Sequence, residues 1–165
     1  LADVCQQWES SAELATALGI RVARMRIGLV LGREGGALQK MLLPFKLGVG
    51  GKVGSGEHWM SWIHVRDLCD LLIAACGDER YRGAVNAVAP NAVRNTDFTQ
   101  AMARTLRRPA LFPVPEWVLK TIFGEMAKIL LASQRVSPAV AQKAGFAFAF
   151  TDVAAALTDL LKRPA

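Results

Sequence analysis

The sequence predicts an α/β fold: a parallel sheet covered by helices in the amino-terminal portion, then a mostly helical carboxy-terminal portion. Three observations predict it. Helix-period and strand-like segments alternate through the first half, the pattern of right-handed crossovers and a sheet covered on both faces. The strand segments are largely apolar runs, as strands buried on both faces require. Beyond residue 90, helical signals follow one another almost without strands. The division is placed at 1–90 and 91–165. With no repeat or low-complexity linker, the two portions are expected to pack together.

The opening "LADVCQQWESSAELATALG" reads as an amphipathic helix from Ala2 to Leu18, stopped by Gly19. In "IRVARMRIGLVLG", Ile20, Val22, Ala23 and Met25 alternate loosely with arginines before an apolar end, which reads as one parallel strand. A helix follows from Gly36 to Lys46, with Leu38, Met41, Leu42 and Phe45 on one side. "GVGGKVGSG" is too glycine-rich for a helix and predicts a loop, with a very short strand near Lys52–Val53. "WMSWIHV" reads as a strand or an extended turn. Asp67 is the expected cap of a helix ending near Cys76 and Gly77. "GAVNAVAP" reads as a buried strand, and Asn95 or Thr96 opens a helix through Leu106.

"FPVPEWVLKTIFGEMAKILLASQR" predicts a helix of several turns from near Pro115. Its stripe of Val118, Ile122, Met126, Ile129 and Leu130 reads as core or as a packing face. Ser137-Pro138 starts another helix that stops at Gly145, and Thr151 starts the last, to Leu161. Two or three convincing strands are too few for a free-standing doubly wound sheet. The chain also opens on Leu1, directly in a helix. It is therefore expected to be a fragment whose other half lies amino-terminal.

The 165 residues suffice for one domain-sized core. A hydrophobic content of 52% and a mean hydropathy of +0.25 are high for a small domain, as an absent partner surface would explain. No run reaches the roughly 18 apolar residues of a membrane span. The most apolar stretch, Trp117 to Ala132, is broken by Lys120, Glu125 and Lys128. No basic flank precedes an apolar segment at the start, so no signal peptide is read. The net charge is +6, with a pI near 9.7. Apart from Arg104, Arg107 and Arg108 the charges are scattered, so neither nucleic acid nor membrane is an expected partner. Three cysteines without a CxxC read as buried thiols in a reducing cytoplasm. Cys69 and Cys76, seven apart, share a helix face and are expected in the core.

"GSGEHWMSWIHVRD" gathers two tryptophans and both histidines. Trp59 and Trp62 offer flat walls or stacking faces for a planar ligand. The other reading packs Trp62 with Ile63 into a domain junction and leaves Trp59 as a surface aromatic. His64 is either an acid/base group at neutral pH or a hydrogen-bonded structural histidine, and His58 is expected to face solvent. Two histidines with Glu57 alone and no nearby cysteine do not make a metal site. Gly35 and Gly36 are either a plain strand-to-helix turn or a source of N–H groups for an anion. Arg26 is expected to pair with a carboxylate such as Glu9, and Asn86 to satisfy backbone groups.

The blocks "WESSAELATALGIRVARMRIGLVLGREGGAL", "LPFKLGVGGKVGSGEHWMSWIHVRDL", "GAVNAVAPNAVRNTDF", "RPALFPVPEWVLKTIFGEMAKILLASQRVSP" and "GFAFAFTDVAAAL" resemble the epimerase-like family of atypical extended short-chain dehydrogenase/reductases. Members are often labelled nucleoside-diphosphate-sugar epimerases. The resemblance covers essentially the whole chain. It implies an extended Rossmann fold binding NADP(H), followed by a small carboxy-terminal domain. Residues 1–90 then correspond to the carboxy-terminal portion of the NAD(P)-binding domain with a substrate-loop insertion, and 91–165 to the small helical domain. The dinucleotide fingerprint is absent, since neither "GREGG" nor "GVGGKVGSG" follows a first strand into a long helix with a later acidic residue. The implied partner is the amino-terminal half of the Rossmann domain, and the chain alone is expected to bind NADP(H) poorly. The resemblance places Ile27, Gly28 and Leu29 beside the nicotinamide, with Gly28 admitting the ring. It places Trp59, Trp62 and His64 at the mouth of a pocket for a small-molecule substrate, with Gly35 and Gly36 as separate substrate-binding candidates. An oligomer is compatible with the family.

Two departures bear on activity. Relatives use a tyrosine and a lysine four residues apart on the helix that opens this chain, the tyrosine exchanging a proton with the substrate oxygen. Matching on Glu9 and Arg26 puts Leu1 at the tyrosine position and Cys5 at the lysine position, and neither supplies that chemistry. The only tyrosine is Tyr81, and no lysine precedes Lys40. Met60 stands where sugar-nucleotide members tend to carry an arginine on the diphosphate. Catalytic residues are thus unassigned. One reading is an NADP(H)-dependent oxidoreductase or epimerase-like protein acting on a small substrate. The other is a non-catalytic cofactor-sensing or protein-interaction module on the same fold.

Overall fold

Two pairs of parallel strands organise the chain, and a single glycine divides them. The computed structural model describes residues 2–110, 113–115, 121, 124 and 132–162. Helix α1 (Ala2–Glu13) tightens into a 3-10 segment, Leu14–Leu18, and stops at Gly19, whose φ of 75° favours glycine. The run expected to be one strand is two, β1 (Ala23–Ile27) and β2 (Leu29–Leu31). Gly28 N–H donates to Ala87 O at 3.1 Å, and Leu29 N–H donates to Ser61 O at 2.8 Å. Within one residue the backbone leaves one partner strand and joins another.

β1 runs parallel to β5 (Gly83–Ala87), and β2 runs parallel to β4 (Trp62–His64). Helix α2 (Gly36–Lys46) buries Leu38, Leu42 and Phe45. A short antiparallel pair, β3 (Trp59–Met60) with β6 (Val93–Arg94), connects the two portions of the chain. Helix α3 (Val65–Gly77) turns Leu68, Leu71 and Ala75 inward.

Two expectations on α3 are corrected. Its N-cap is His64, whose Nδ1 accepts from Arg66 N–H at 3.1 Å. Asp67 lies buried in the first turn and reaches across to the carboxy-terminal portion. Its two oxygens accept from Ala149 N–H at 2.8 Å and Phe150 N–H at 2.9 Å. Cys69 and Cys76 do share a face, but it is the outer one, with Leu72 and Ile73. Both are exposed, as is Cys5. A seven-residue spacing puts two side chains on one side of a helix without saying which side.

The carboxy-terminal portion supplies α4 (Asn95–Leu106), α5 (Ala139–Lys143) and α6 (Val153–Lys162). Gly145 closes the turn after α5 at φ 75°. Asp152, rather than Thr151, starts α6, its Oδ1 accepting from Ala155 N–H at 2.9 Å. The helix expected from Pro115, with its apolar stripe, falls outside the described residues. Among the described residues, no helix is long and apolar enough to cross a membrane.

Two apolar clusters hold the portions together. Leu31, Leu38 and Trp62 pack with Phe98, Met102 and Leu157 in one. Ile63, Leu71 and Val85 pack with Ala141 in the other. Each fully buried side chain of this size contributes roughly 1.5–3 kcal/mol, so the two portions share a core, as expected. The amino-terminal edge is different. Among the described residues β1 and β5 pair only with each other, and α1 buries no residue. Trp8 is 72% exposed and Leu18 79%.

Candidate functional site at the carboxyl end of the strands

In open α/β sheets, ligands collect outside the carboxyl ends of the parallel strands. Here the segment 133–137 crosses at the carboxyl end of β1 and β5, ahead of the amino ends of β2 and β4, and is tied down by hydrogen bonds. Trp59 N–H donates to Ser133 Oγ at 3.1 Å, and Gln134 N–H to Trp59 O at 3.3 Å. Ser61 Oγ donates to Gln134 O at 2.7 Å and accepts from Val136 N–H at 2.9 Å. Asn86 Nδ2 donates to Ser137 O at 3.0 Å, the backbone role expected of it.

Of the expected cofactor residues, Ile27 is 51% exposed at the last position of β1, and Leu29 is half-buried one residue beyond the crossing. Gly28 also allows a close approach within the protein itself. A Cβ there would lie 2.6 Å from Ser61 O and 2.7 Å from Val88 Cγ1. The missing side chain makes room for this neighbouring backbone and side chain.

The two tryptophans separate. Trp62 is fully buried, and its indole N–H donates to Asn91 O at 2.9 Å. Asn91 Nδ2 in turn donates to Thr151 O at 3.0 Å. Trp62 is therefore core, with no face left for a substrate, which corrects its assignment to the pocket. Trp59 is half-buried and remains available. Over its ring lie two guanidinium groups, with Arg94 Cζ at 4.2 Å and Arg135 Cζ at 4.6 Å from the centroid. Arg94 stands opposite Trp59 in the β3–β6 register, so the two side chains share a face. Arg94 also donates to the Glu57 carbonyl and lies 3.7 Å from the Glu57 carboxylate. Among the described residues, Arg135 makes no ion pair.

His64 is buried, 3% exposed, and stacked on Phe150 with centroids 3.9 Å apart. Its Nδ1 is an acceptor, so Nε2 carries the proton. That nitrogen lies 3.3 Å from Asp159 Oδ2, close but poorly aligned for a hydrogen bond. Burial holds the imidazole pKa below its ordinary value, with Asp159 and then Asp67 partly offsetting it. His64 joins α3 to α6 and is a structural histidine; its assignment to the substrate pocket is corrected. His58, expected to face solvent, is half-buried.

Gly35 and Gly36 form the turn into α2 with φ of 87° and 73°, conformations that favour glycine, and both are exposed. The turn also accounts for Gln39, whose side chain donates to Arg33 O at 3.1 Å. Arg26 and Glu9 form the expected pair, bidentate with both bonds at 2.7 Å, and Arg26 lowers the Glu9 pKa. This pair fixes Cys5 one turn before Glu9 on α1, where it is exposed. Leu1 falls outside the described residues.

Arg135 and Arg21 are the residues that the sequence did not single out. Arg21 caps α3, donating to Ala75 O, Cys76 O and Tyr81 O at 2.7, 2.7 and 3.0 Å. Neither arginine sits in a motif, and only chain folding brings each to its partners. Two surface depressions lie elsewhere. One of about 340 Å³ sits beside Arg21 and Arg24, and one of about 460 Å³ lies between α4 and α6. No cluster of three metal-binding side chains occurs among the described residues.

Comparison with known proteins adds four matches. A family model described as a domain of unknown function, DUF1731, matches residues 114–160. The chain is 43% identical over 162 residues to the "Epimerase family protein SDR39U1 homolog, chloroplastic" of Arabidopsis thaliana, covering 98% of this chain and 46% of that protein. It superposes on the human epimerase family protein SDR39U1, crystallised with NADPH, with a TM-score of 0.79 and 39% identity, covering 85% of this chain and 48% of that one. A nucleoside-diphosphate sugar epimerase from Corynebacterium glutamicum gives a TM-score of 0.77 at 35% identity, covering 97% of this chain and 30% of that one. The chain thus spans about half the length of the curated relatives it matches.

Proposed function

This chain belongs to the epimerase-like family of extended short-chain dehydrogenase/reductases, and from that premise we propose that it supplies the substrate side of an NADP(H)-dependent oxidoreductase or epimerase-like protein. One observation carries the proposal. Among the described residues, a parallel strand pair stands with a single partner on each strand, beside a helix that buries nothing, and both present large apolar side chains to solvent. A sheet and a helix in this condition need a further layer. The amino-terminal half of a dinucleotide-binding domain is the layer we assign, continuing the sheet from β1 and covering α1. Residues 1–90 are then the rest of that domain, and 91–165 the small domain that closes over the substrate.

NADP(H), when bound, supplies hydride chemistry. This chain's part is to hold and orient. Ile27 presents an exposed apolar side chain at the carboxyl end of β1, a surface on which a flat ring can rest. The phosphate-binding glycine turn belongs to the assigned half, so the chain alone binds the cofactor weakly. The substrate is a small molecule received at Trp59. The three exposed cysteines are unpaired, which fits a reducing compartment such as the cytoplasm.

A second reading has its own support. The Glu9–Arg26 pair fixes the frame in which Cys5 replaces the expected lysine, and a thiol is not a permanent cation. A protein that senses the cofactor without turning it over would tolerate that exchange.

The test is a chimera in which this chain replaces the matched portion of the Arabidopsis relative. The expected result is NADPH binding by the chimera, with much weaker binding by this chain alone. A folded chimera that fails to bind, or equal binding by the chain alone, refutes the proposal. Oxidation of NADPH with carbonyl substrates separates the enzyme from the sensor.

A further inference from the structure

We infer that Trp59, Arg94 and Arg135 form a subsite for the oxyanion of a planar substrate, set beside the carboxyl end of β1. The inference rests on the proposed substrate side and names the chemistry that the substrate must carry.

The backbone builds this surface from three directions. β3 holds Trp59, β6 brings Arg94 alongside it, and the segment hydrogen-bonded to the other edge of β3 delivers Arg135. Alternation along β3 sends Met60 into the core and leaves Trp59 on the outer face. The next residue, Ser61, accepts the Leu29 N–H, so the surface begins within two residues of the Ile27–Leu29 segment.

Charge is unevenly matched here. Two guanidinium groups converge on one indole, and among the described residues one carboxylate, Glu57, faces them, on the Arg94 side. Each cation is attracted to the face of the ring, while the two cations repel each other. An oxyanion accepting N–H bonds from both would relieve that repulsion, and guanidinium is the side chain best shaped for carboxylate or phosphate. The half-buried indole adds apolar surface beside them for the body of the same molecule. Loss of a diphosphate-gripping arginine at Met60 therefore need not mean an uncharged substrate.

The test follows the Trp59 indole N–H signal by NMR in the 165-residue chain, identified by its loss in Trp59→Phe. Benzoate and phenyl phosphate are the oxyanion probes, with neutral benzamide as control. The expected result is a saturable shift with at least one oxyanion probe and none with benzamide; the tighter probe tells carboxylate from phosphate. Arg135→Gln weakens binding about tenfold, the effect of one charge-assisted bond, and Arg94→Gln does likewise. Arg82→Gln, an exposed arginine paired to Glu79 elsewhere, leaves it unchanged. Arg135→Lys keeps the charge without the fork and binds less tightly than the unaltered chain. No saturable shift, an equal shift with benzamide, or full binding by Arg135→Gln overturns the inference. The readout needs no cofactor, so failure of NADPH binding in the chimera leaves it intact, and its own failure leaves the dinucleotide reading standing.

Discussion

Asp67→Asn tests the joint between α3 and the carboxy-terminal portion. The carboxylate is buried and accepts two backbone N–H groups, from Ala149 at 2.8 Å and Phe150 at 2.9 Å. Hydrogen bonds to a charged group contribute roughly 1.5–3 kcal/mol each. Asparagine keeps one neutral acceptor, worth about 1 kcal/mol. It turns its amide NH₂ toward the second backbone N–H, leaving a buried donor without a partner at a cost of about 1–3 kcal/mol. The net loss is at least about 3 kcal/mol, a large fraction of the stability of a domain this size. Urea unfolding measures it as a fall in midpoint at constant slope. Hydrogen exchange localises it, with the Ala149 and Phe150 amides losing protection before the helices do. A loss below about 0.5 kcal/mol, the scale of a surface substitution, refutes the clamp. So does unchanged protection at those two amides.

Three further outcomes are expected. Gly28→Ala places a methyl group 2.6 Å from the Ser61 carbonyl, and the backbone cannot yield as a flexible side chain would. The variant loses about 1–3 kcal/mol in thermal unfolding, and wild-type stability would refute the close crossing. His64 has a folded pKa below its unfolded value of 6.5 because burial disfavours the imidazolium. The unfolded chain therefore takes up the proton first as pH falls. Stability is full above pH 6.5 and declines on acidification toward the folded pKa. His64→Gln flattens that part of the urea-midpoint profile, and an equal slope in both proteins counts against a buried neutral imidazole. Cys5, Cys69 and Cys76 are exposed, so a thiol reagent titrates all three rapidly in the native chain. Protection of Cys69 and Cys76 until unfolding would return them to the core.

Among the described residues, the sequence by itself determined most local elements and their order, though not the division of one strand into two at Gly28. Helical periodicity, glycine stops at Gly19 and Gly145, and apolar strand runs are effects of neighbouring residues, and they were legible for that reason. The Arg26–Glu9 pair and the role of Asn86 were legible too. Tertiary structure decided which side of each element faces what. It put Cys69 and Cys76 outside because Leu68, Leu71 and Ala75 face the core. It sent Trp62 inward and left Trp59 half-exposed, though both sit in one short apolar stretch. It turned Asp67 from a local cap into a bridge to Ala149 and Phe150, and it carried Arg135 over Trp59 from a distant part of the chain. Periodicity records spacing along one element, whereas burial and long-range contacts depend on the element packed against it. That partner is specified only when the whole chain has folded.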